Sequence, residues 1–435
     1  MKRSRWNSYI EITNSSGLIY NSLKDEFVFI NGSSLFDLCK DGPISAIPET
    51  VLGDILKIGG IVAESVDEVK ELRNLIKTID EDDSHLHLII NPTLDCNFHC
   101  WYCYENHVRD SCMSSATVEA IKLLIEKKID QNNNFRYLTI SFFGGEPLMK
   151  FHEVVEPLVK WINEYCDTRK IALEVHFTTN SYLLDDNIIN ILKDWNVSFQ
   201  ITLDGGKESH DNTRFEKGGK GSFDIIMHNI AKLASIKKKV VLRINYTKNN
   251  IMSISDIIGT LERIDKSERR YIHVDFQRVW QDSSKVLSDE EADYLRDLRN
   301  QLMDMGFSAS ISNHLSSVKN SCYGDKLHEY LINYNGDVFA CTARDFKSEN
   351  RLGKISVDGE IEWNQDLLDK RNNIKFSKEV CHQCRIAPLC GGGCKTKCME
   401  ASHHDGCNLG FTEAKIDQII LERFERYFLN TSSGA

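Results

Sequence analysis

Cys96, Cys100 and Cys103 crowd one run of eight residues, with Asp95 before the first and Tyr102 before the last. Three thiolates on one short loop can hold three irons of a [4Fe–4S] cube and leave the fourth iron without a protein ligand. Zinc is the alternative. Structural zinc takes four protein ligands, and no fourth cysteine stands at a suitable distance here, while His99 sits awkwardly beside a ligating cysteine. A second array follows: Cys322, thirteen residues, Gly336, four residues and Cys341, then Cys381-x2-Cys384-x5-Cys390-x3-Cys394 and Cys407. Taken alone, the Cys381-x2-Cys384 pair also suits a zinc ribbon. Cys39, Cys112 and Cys166 are scattered and read as small buried apolar residues.

The elements that must position these thiols follow from hydrophobic period. Between residue 85 and about 308 strands alternate with helical patterns: Leu86–Thr93, Leu138–Phe143, Leu173–Thr178, Ser198–Leu203, Val240–Tyr246 and Tyr271–Val279 read as strands. Such alternation predicts an α/β fold with a parallel sheet, open or barrel-shaped, and six repeats suit a partial (β/α)6 TIM-type barrel. Chemistry then belongs beyond the carboxyl ends of the strands, where the first cysteine cluster stands. Residues 1–84 read as a small α+β unit: strands at Tyr9–Ile12, Gly17–Tyr20 and Phe27–Ile30, a helix from near Pro48, and a second opening on the capping pattern Ser65-Val-Asp-Glu68. The acidic run Asp80-Glu-Asp-Asp83 reads as a linker. Residues 309–435 are dense in cysteine and glycine and are expected to be organised by bound metal. A closing helix carries Ile416, Ile419, Ile420, Phe424 and Phe428 on one face.

Cys96-x3-Cys100-x-Tyr102-Cys103 after the first strand of the alternation resembles the signature of the radical S-adenosylmethionine (SAM) superfamily. Phe143-Gly144-Gly145-Glu146-Pro147 at the end of the second strand resembles the segment that binds the SAM amino group in that family. Thr178-Thr179-Asn180 and Thr202-Leu203-Asp204-Gly205 resemble segments lining the SAM site, and His210-Asp211 with Arg214 resembles the peptide- and protein-modifying branch. The resemblance implies that Cys96, Cys100 and Cys103 are catalytic cluster ligands. It implies that Tyr102, Gly144, Gly145, Glu146, Pro147, Asn180, Thr202, Asp204 and Arg214 contact or frame SAM. For Arg214 a surface salt bridge is the competing reading. The family's chemistry is reductive cleavage of SAM to a 5′-deoxyadenosyl radical that abstracts a substrate hydrogen, in a site that positions the cofactors and excludes water.

The second array resembles the SPASM domain, an extension carrying two auxiliary clusters. By that resemblance Cys381, Cys384, Cys390 and Cys407 hold one cluster, and Cys322, Cys341 and Cys394 hold the other, with Cys398 a spare ligand or an open iron in its place. Three [4Fe–4S] clusters and SAM are therefore the expected cofactors. The unit before residue 85 resembles the winged-helix leader-binding module of ribosomal-peptide maturases, which pairs a leader onto an exposed sheet edge. The expected function is a radical SAM oxidoreductase that modifies a precursor peptide with a leader, by a crosslink, thioether or related change, fed by a flavodoxin or ferredoxin. One alternative is a sulfatase-maturating oxidase that forms formylglycine; there an aspartate follows the second cysteine of the array, and here Cys341 is followed by Thr342. A non-catalytic iron–sulfur electron carrier is the other.

Composition sets the remaining bounds. With 435 residues, 41% apolar and 27% charged, the chain has the makeup of a globular protein of several domains. A net charge of −11 without a basic patch disfavours nucleic acid as partner. No run approaches the roughly 18 apolar residues of a membrane helix, and MKRSRWNSYIEI lacks a signal-peptide core, so a cytoplasmic protein off the membrane is expected. Fourteen cysteines in a reducing compartment fit metal binding better than disulfides.

Overall fold

The computed structural model describes all residues except 283–286, 312–314, 316, 402–404 and 433–435, and the side chains of 426 and 428–432. Phe428 of the closing helix thus falls outside the described side chains. Contacts gather the chain into two compact units: Met1–Asp82 with His314–Leu327 and Gln365–Ala435, and Asp83–Asn313 with His328–Asn364. The N-terminal segment and most of the cysteine-dense C-terminal segment thus belong to one unit. Residues 328–364 belong to the other, because their strands extend its sheet.

In the first unit, β1 (Lys2–Arg3), β2 (Asn7–Thr13), β3 (Ser16–Asn21), β4 (Glu26–Asn31) and β5 (Ile61–Val62) form a β1–β5 pair and an antiparallel β2-β3-β4 sheet. β3 is buried along its length because both faces are covered. Ile19 packs with Ile30, Phe36 and Ile55. Leu18 and Tyr20 pack with Ile386, Ile416 and Ile420, which seats the closing helix Glu413–Ser432. A helix over Ser33–Asp41 was not read from the sequence; its polar run of serine, aspartate and lysine masks two buried positions, Phe36 and Cys39. The helix expected from Ser65 begins later, at Glu68, and Asp67 caps it by accepting from the Lys70 N–H at 3.1 Å.

Asp80 is not linker. It ends the helix Glu68–Asp80, is buried, and meets Lys375 at 3.2 Å and Lys395 at 3.1 Å. Lys375 also meets Asp325 at 3.1 Å, and Asp325 accepts from the Lys395 N–H at 2.7 Å. Two acids and two lysines, all nearly inaccessible, thereby balance one another. Such a pair costs several kcal/mol to bury per ion and is held only by this mutual geometry.

The second unit is an α/β fold built on an 11-stranded, mostly parallel sheet. β6 (His85–Ile90), β7 (Tyr137–Phe142), β8 (Ala172–Thr179), β9 (Val197–Leu203), β10 (Lys239–Tyr246), β11 (Ile272–Arg278) and β12 (Ser308–Ile311) lie side by side in sequence order, all parallel. β12 adds a seventh parallel strand to the six expected. Its Ser308-Ala-Ser-Ile311 offers little apolar period and was missed for that reason. β13 (Glu329–Ile332) pairs parallel with the free edge of β6, and β14 (Asp337–Phe339), β15 (Arg351–Ile355) and β16 (Ile361–Trp363) continue antiparallel.

Side chains alternate across these strands. Leu86, Leu88, Ile90, Leu138, Ile140, Phe142, Val175, Phe177, Phe199 and Ile201 join the helices Ser115–Asp130, Glu156–Arg169 and Phe223–Ser235 in one core. The opposite positions are polar and bond across strands: His87 to Ser141 at 2.7 Å, His176 to Ser198 at 3.1 Å, His273 to Ser310 at 2.9 Å. The inner layers of a closed barrel are apolar and packed. Here that face is hydrophilic. No helix among the described residues is long and apolar enough to cross a membrane.

Candidate active site around Cys96, Cys100 and Cys103

The first cysteine loop leaves β6 and is pinned before it reaches the thiols. Thr93 donates to the Ser111 carbonyl at 2.7 Å, and the Asp95 carboxylate accepts from the Cys96 N–H at 2.8 Å and the Asp110 N–H at 3.0 Å. Lys217 closes on Asp95 at 3.0 Å. Burial pushes this carboxyl up, but the Asp110 N–H and Lys217 outweigh it and hold it below the usual carboxylate range.

Gly144 and Gly145 are required by that loop. Gly144 has φ of +104°, and a Cβ on it would lie 2.4 Å from the Thr93 carbonyl; a Cβ on Gly145 would lie 2.1 Å from the Asp95 carbonyl. With no side chains in the way, the Gly145 and Glu146 N–H groups donate to those same carbonyls at 3.1 and 2.9 Å. The glycines thus weld the end of β7 to the cysteine loop. Glu146 is buried, and its carboxylate accepts from Leu148 N–H at 3.1 Å, the Thr179 hydroxyl at 2.6 Å and Asn180 N–H at 2.8 Å. Pro147 opens the short turn Pro147–Lys150 that Glu146 caps. Three protein donors thus engage this carboxylate, leaving about one of its four lone-pair positions.

Asn180 reaches back with its amide to Asn97 at 2.7 Å, tying the end of β8 to the same loop. Tyr102 is more than an aromatic filler. Its hydroxyl lies 2.7 and 2.8 Å from the two oxygens of Asp204 and accepts from the Arg214 guanidinium at 2.7 Å. Burial pushes the Asp204 carboxyl up, opposed by Arg214. Arg214 is 9% exposed, so the surface salt-bridge reading fails. His210 supports this group from behind: it accepts from the Asp204 N–H at 3.2 Å and bonds Ser222 at 2.9 Å. Burial, with Arg214, pushes the imidazole down to about 3, so it is neutral.

These residues share one cavity of about 950 Å³, counting the part open to solvent. Cys96, Cys100, Tyr102, Cys103, Gly144, Gly145, Glu146, Asn180, Thr202 and Arg214 line it; Pro147 and Asp204 are not among the lining residues, Asp204 meeting the cavity through Tyr102. Gln200, Arg243, Asn245, Trp280 and Gln281 line it as well. Gln281, which donates to the Tyr102 carbonyl, was not singled out in the sequence; nothing in a loop after β11 marks it there. Glu105 was also missed. It lines the cavity, is buried, and neither carboxylate oxygen has a hydrogen-bond partner; burial pushes its carboxyl up to about 8. A carboxylate two residues past the last thiol of the loop was the available signal.

The cavity suits a soft metal group together with a ligand bearing both charges. Its wall carries three thiols, the Arg214 Nε is a buried donor with no acceptor, and Glu105 offers two open acceptors. Burial, and for Cys96 also Glu146, pushes the Cys96 and Cys100 thiols up, and burial raises Cys103 to about 11. A bound metal cation would oppose these shifts by favouring the thiolates. Among the described residues no three His, Cys, Asp or Glu side chains gather tightly enough for a single metal ion.

In the other unit the Cys381, Cys384 and Cys390 thiols are each raised first by burial and then by charge on neighbouring cysteines, Cys407 among them. Gly391, Gly392 and Gly393 all have positive φ, which turns the chain sharply between Cys390 and Cys394. Cys394 begins the helix Lys395–Glu400. Cys398, the spare ligand, is buried with its sulfur 3.3 Å from the Gly392 carbonyl and 3.1 Å from the Asn408 amide. Cys322 belongs to this unit and Cys341, after β14, to the other.

Residues 90–264 match the model of the Radical SAM superfamily. The chain is 24% identical over 368 residues to the cysteine-type anaerobic sulfatase-maturating enzyme of Clostridium novyi (strain NT), covering 79% of this chain and 94% of that one. It is 26% identical over 241 residues to the radical SAM cyclopropyl synthase TigE of Paramaledivibacter caminithermalis, covering 51% of this chain and 44% of that one. In fold it resembles anSMEcpe with bound AdoMet and Cp18Cys peptide, with a TM-score of 0.58, 18% identity, 80% of this chain and 99% of that one. It also resembles Streptococcus suis SuiB bound to precursor peptide SuiA, with a TM-score of 0.53, 14% identity, 94% of this chain and all of that one. A domain of this kind implies a [4Fe–4S] cluster and SAM. Taken with the cysteine loop and its cavity, these similarities show an enzyme with a Radical SAM domain over residues 90–264, homologous to the anaerobic sulfatase-maturating enzymes.

Proposed function

We propose that the protein is a peptide maturase: it binds a ribosomally made precursor through its N-terminal unit and modifies it by hydrogen abstraction in the cavity over Cys96, Cys100 and Cys103. The observation that carries this reading is the N-terminal element. Its three-stranded sheet and the helices Ser33–Asp41, Glu49–Lys57 and Glu68–Asp80 have the strand-then-helix order of a winged-helix module. The peptide-bound SuiB fold spans 94% of the chain against 80% for anSMEcpe. In the β2-β3-β4 sheet β2 and β4 are the outer strands, and Phe29 on β4 is half exposed, as an edge that accepts an extended leader would be. We read residues 1–84 as this recognition unit, 85–308 as the catalytic core and 309–435 as the bearer of two auxiliary clusters.

When bound, the cluster and SAM supply an electron and a radical that removes a substrate hydrogen. The chain's own residues do the rest. Cys96, Cys100 and Cys103 ligate three irons. Arg214, whose Nε lacks an acceptor, takes the SAM carboxylate, and Tyr102 and Asp204 hold that guanidinium in place. Glu146 fixes the Gly144–Gly145 turn against the loop through its three accepted hydrogen bonds, so it positions the site. Asn180 and Thr202 frame the cavity wall. Cys381, Cys384, Cys390 and Cys407 would hold one auxiliary cluster, and Cys322, Cys341 and Cys394 would be ligands of the second. A flavodoxin or ferredoxin feeds electrons.

Anaerobic co-expression with each short peptide encoded beside the gene, followed by mass spectrometry, tests the reading: a mass change dependent on Cys96, Cys100 and Cys103 is expected. A second reading, sulfatase-type oxidation, is favoured by the 24% identity that spans 94% of the clostridial relative. Formylglycine in a Cys- or Ser-containing sulfatase peptide, with no change in any neighbouring precursor, would replace the first reading with the second.

A further inference from the structure

Three acids line the cysteine cavity or meet it through Tyr102, and their states differ. Glu146 accepts three protein hydrogen bonds. Asp204 faces Tyr102, Asn245 and Arg214. Glu105 has nothing: it is 9% exposed, both oxygens are sealed from water, and neither has a partner. Leaving a buried acceptor unmade is costly, more so when it is charged. Native structures keep such groups chiefly where something else completes them.

We propose that Glu105 is a binding residue for a positively charged group, ammonium, guanidinium or sulfonium, brought into the cavity by its ligand. Two observations give the sign. Once ionised a carboxylate only accepts, and a cationic donor is the partner that supplies both the hydrogen bond and the charge that burial withholds. Beside it, Tyr104 and Trp280 line the same cavity with ring centroids 6.3 Å apart, and Trp280 is 65% exposed, so aromatic surface is available to a cation in the cavity. Arg214, on the same cavity, supplies the complementary charge for an anion.

The cation has two sources, SAM itself and a basic side chain of the substrate. The proposal rests on the radical SAM reading, and its test separates the two. Full-length protein with its clusters reconstituted anaerobically is compared with Glu105→Gln, which keeps the shape, and Glu105→Asp, which keeps the charge. Iron content and circular dichroism verify that the fold is retained. SAM affinity is measured by equilibrium dialysis. Binding of n-butylammonium, with 1-pentanol as its uncharged counterpart, is measured by saturation-transfer NMR. A 10-fold or greater loss of SAM affinity in Glu105→Gln, partly restored in Glu105→Asp, supports the proposal with SAM as the source. Unchanged SAM affinity, together with n-butylammonium binding that is seen in wild type and lost in Glu105→Gln, supports it with the substrate as the source. SAM bound equally by wild type and Glu105→Gln, with n-butylammonium binding equal or absent in both, overturns it. A wild-type protein that binds no SAM overturns the underlying reading instead.

Discussion

Replacing Tyr102 with phenylalanine removes one hydroxyl that serves two buried charges. That hydroxyl donates to Asp204 and accepts from Arg214 at 2.7 Å. Hydrogen bonds to charged groups contribute about 1.5–3 kcal/mol each, so losing both costs about 3–6 kcal/mol. Asp204 keeps Asn245 and its attraction to Arg214, which places the cost near the lower end, about 3 kcal/mol. Because Tyr102 sits between two cysteines of the loop, the loss falls on opening of residues 96–105. About 3 kcal/mol is a roughly 100-fold rise in the open population at 25 °C. Hydrogen–deuterium exchange of peptides covering 96–105 and 199–214, on anaerobic apoprotein at pH 7, reads this directly. Adding Asp204→Asn removes the charge left without its donor, so the double variant should lose about 1–3 kcal/mol less than the sum of the single changes. Exchange in Tyr102→Phe within about 3-fold of wild type would refute the reasoning that this hydroxyl holds the loop.

Glu146→Gln places an amide donor against the N–H and O–H donors that the carboxylate now satisfies; thermal unfolding should show a loss of about 2 kcal/mol or more, and SAM binding by equilibrium dialysis should fall with it. His210 is held neutral down to about pH 3, while an unfolded histidine takes up a proton below about 6.5. Its contribution is therefore fully present above that value and is lost as pH falls toward 3, about 2 kcal/mol by pH 5, and the urea midpoint should fall between pH 7 and 5 less steeply in His210→Asn. Cys398→Ala should leave iron content unchanged near about twelve per chain, because its sulfur is occupied by Gly392 and Asn408, whereas Cys394→Ala should lower it. Lys375→Met leaves Asp80 and Asp325 sharing Lys395 alone and should cost about 3 kcal/mol in urea unfolding.

Six of the parallel strands were legible because Leu, Ile, Val and Phe recur at period two between helical runs, and their observed ends fall within a few residues of those expected. The cysteine loop was legible because covalent spacing alone brings those thiols together, and Gly144–Gly145 through their resemblance to a family segment; the fold adds that a Cβ at either would meet a carbonyl at 2.1–2.4 Å. What sequence hid depends on the third dimension. Asp80 looked like solvated linker because its two lysines lie about 300 residues away in the chain. The donors to Glu146 were hidden because they come from the next strand as well as its own turn. Arg214 was ambiguous between surface and site until burial placed it against Tyr102. Glu105 was passed over despite its place two residues past the last thiol, because a carboxylate beside a tyrosine is ordinary and its lack of partners shows only in the fold.

The measurement closest to the central claim is reductive SAM cleavage by anaerobically reconstituted protein. Wild type, given dithionite and SAM, should release 5′-deoxyadenosine, and the Cys96→Ala/Cys100→Ala/Cys103→Ala variant should release none while keeping the iron of the other clusters. Deoxyadenosine from the triple variant, or a wild-type protein that takes up zinc in place of iron and leaves SAM intact, would contradict the account.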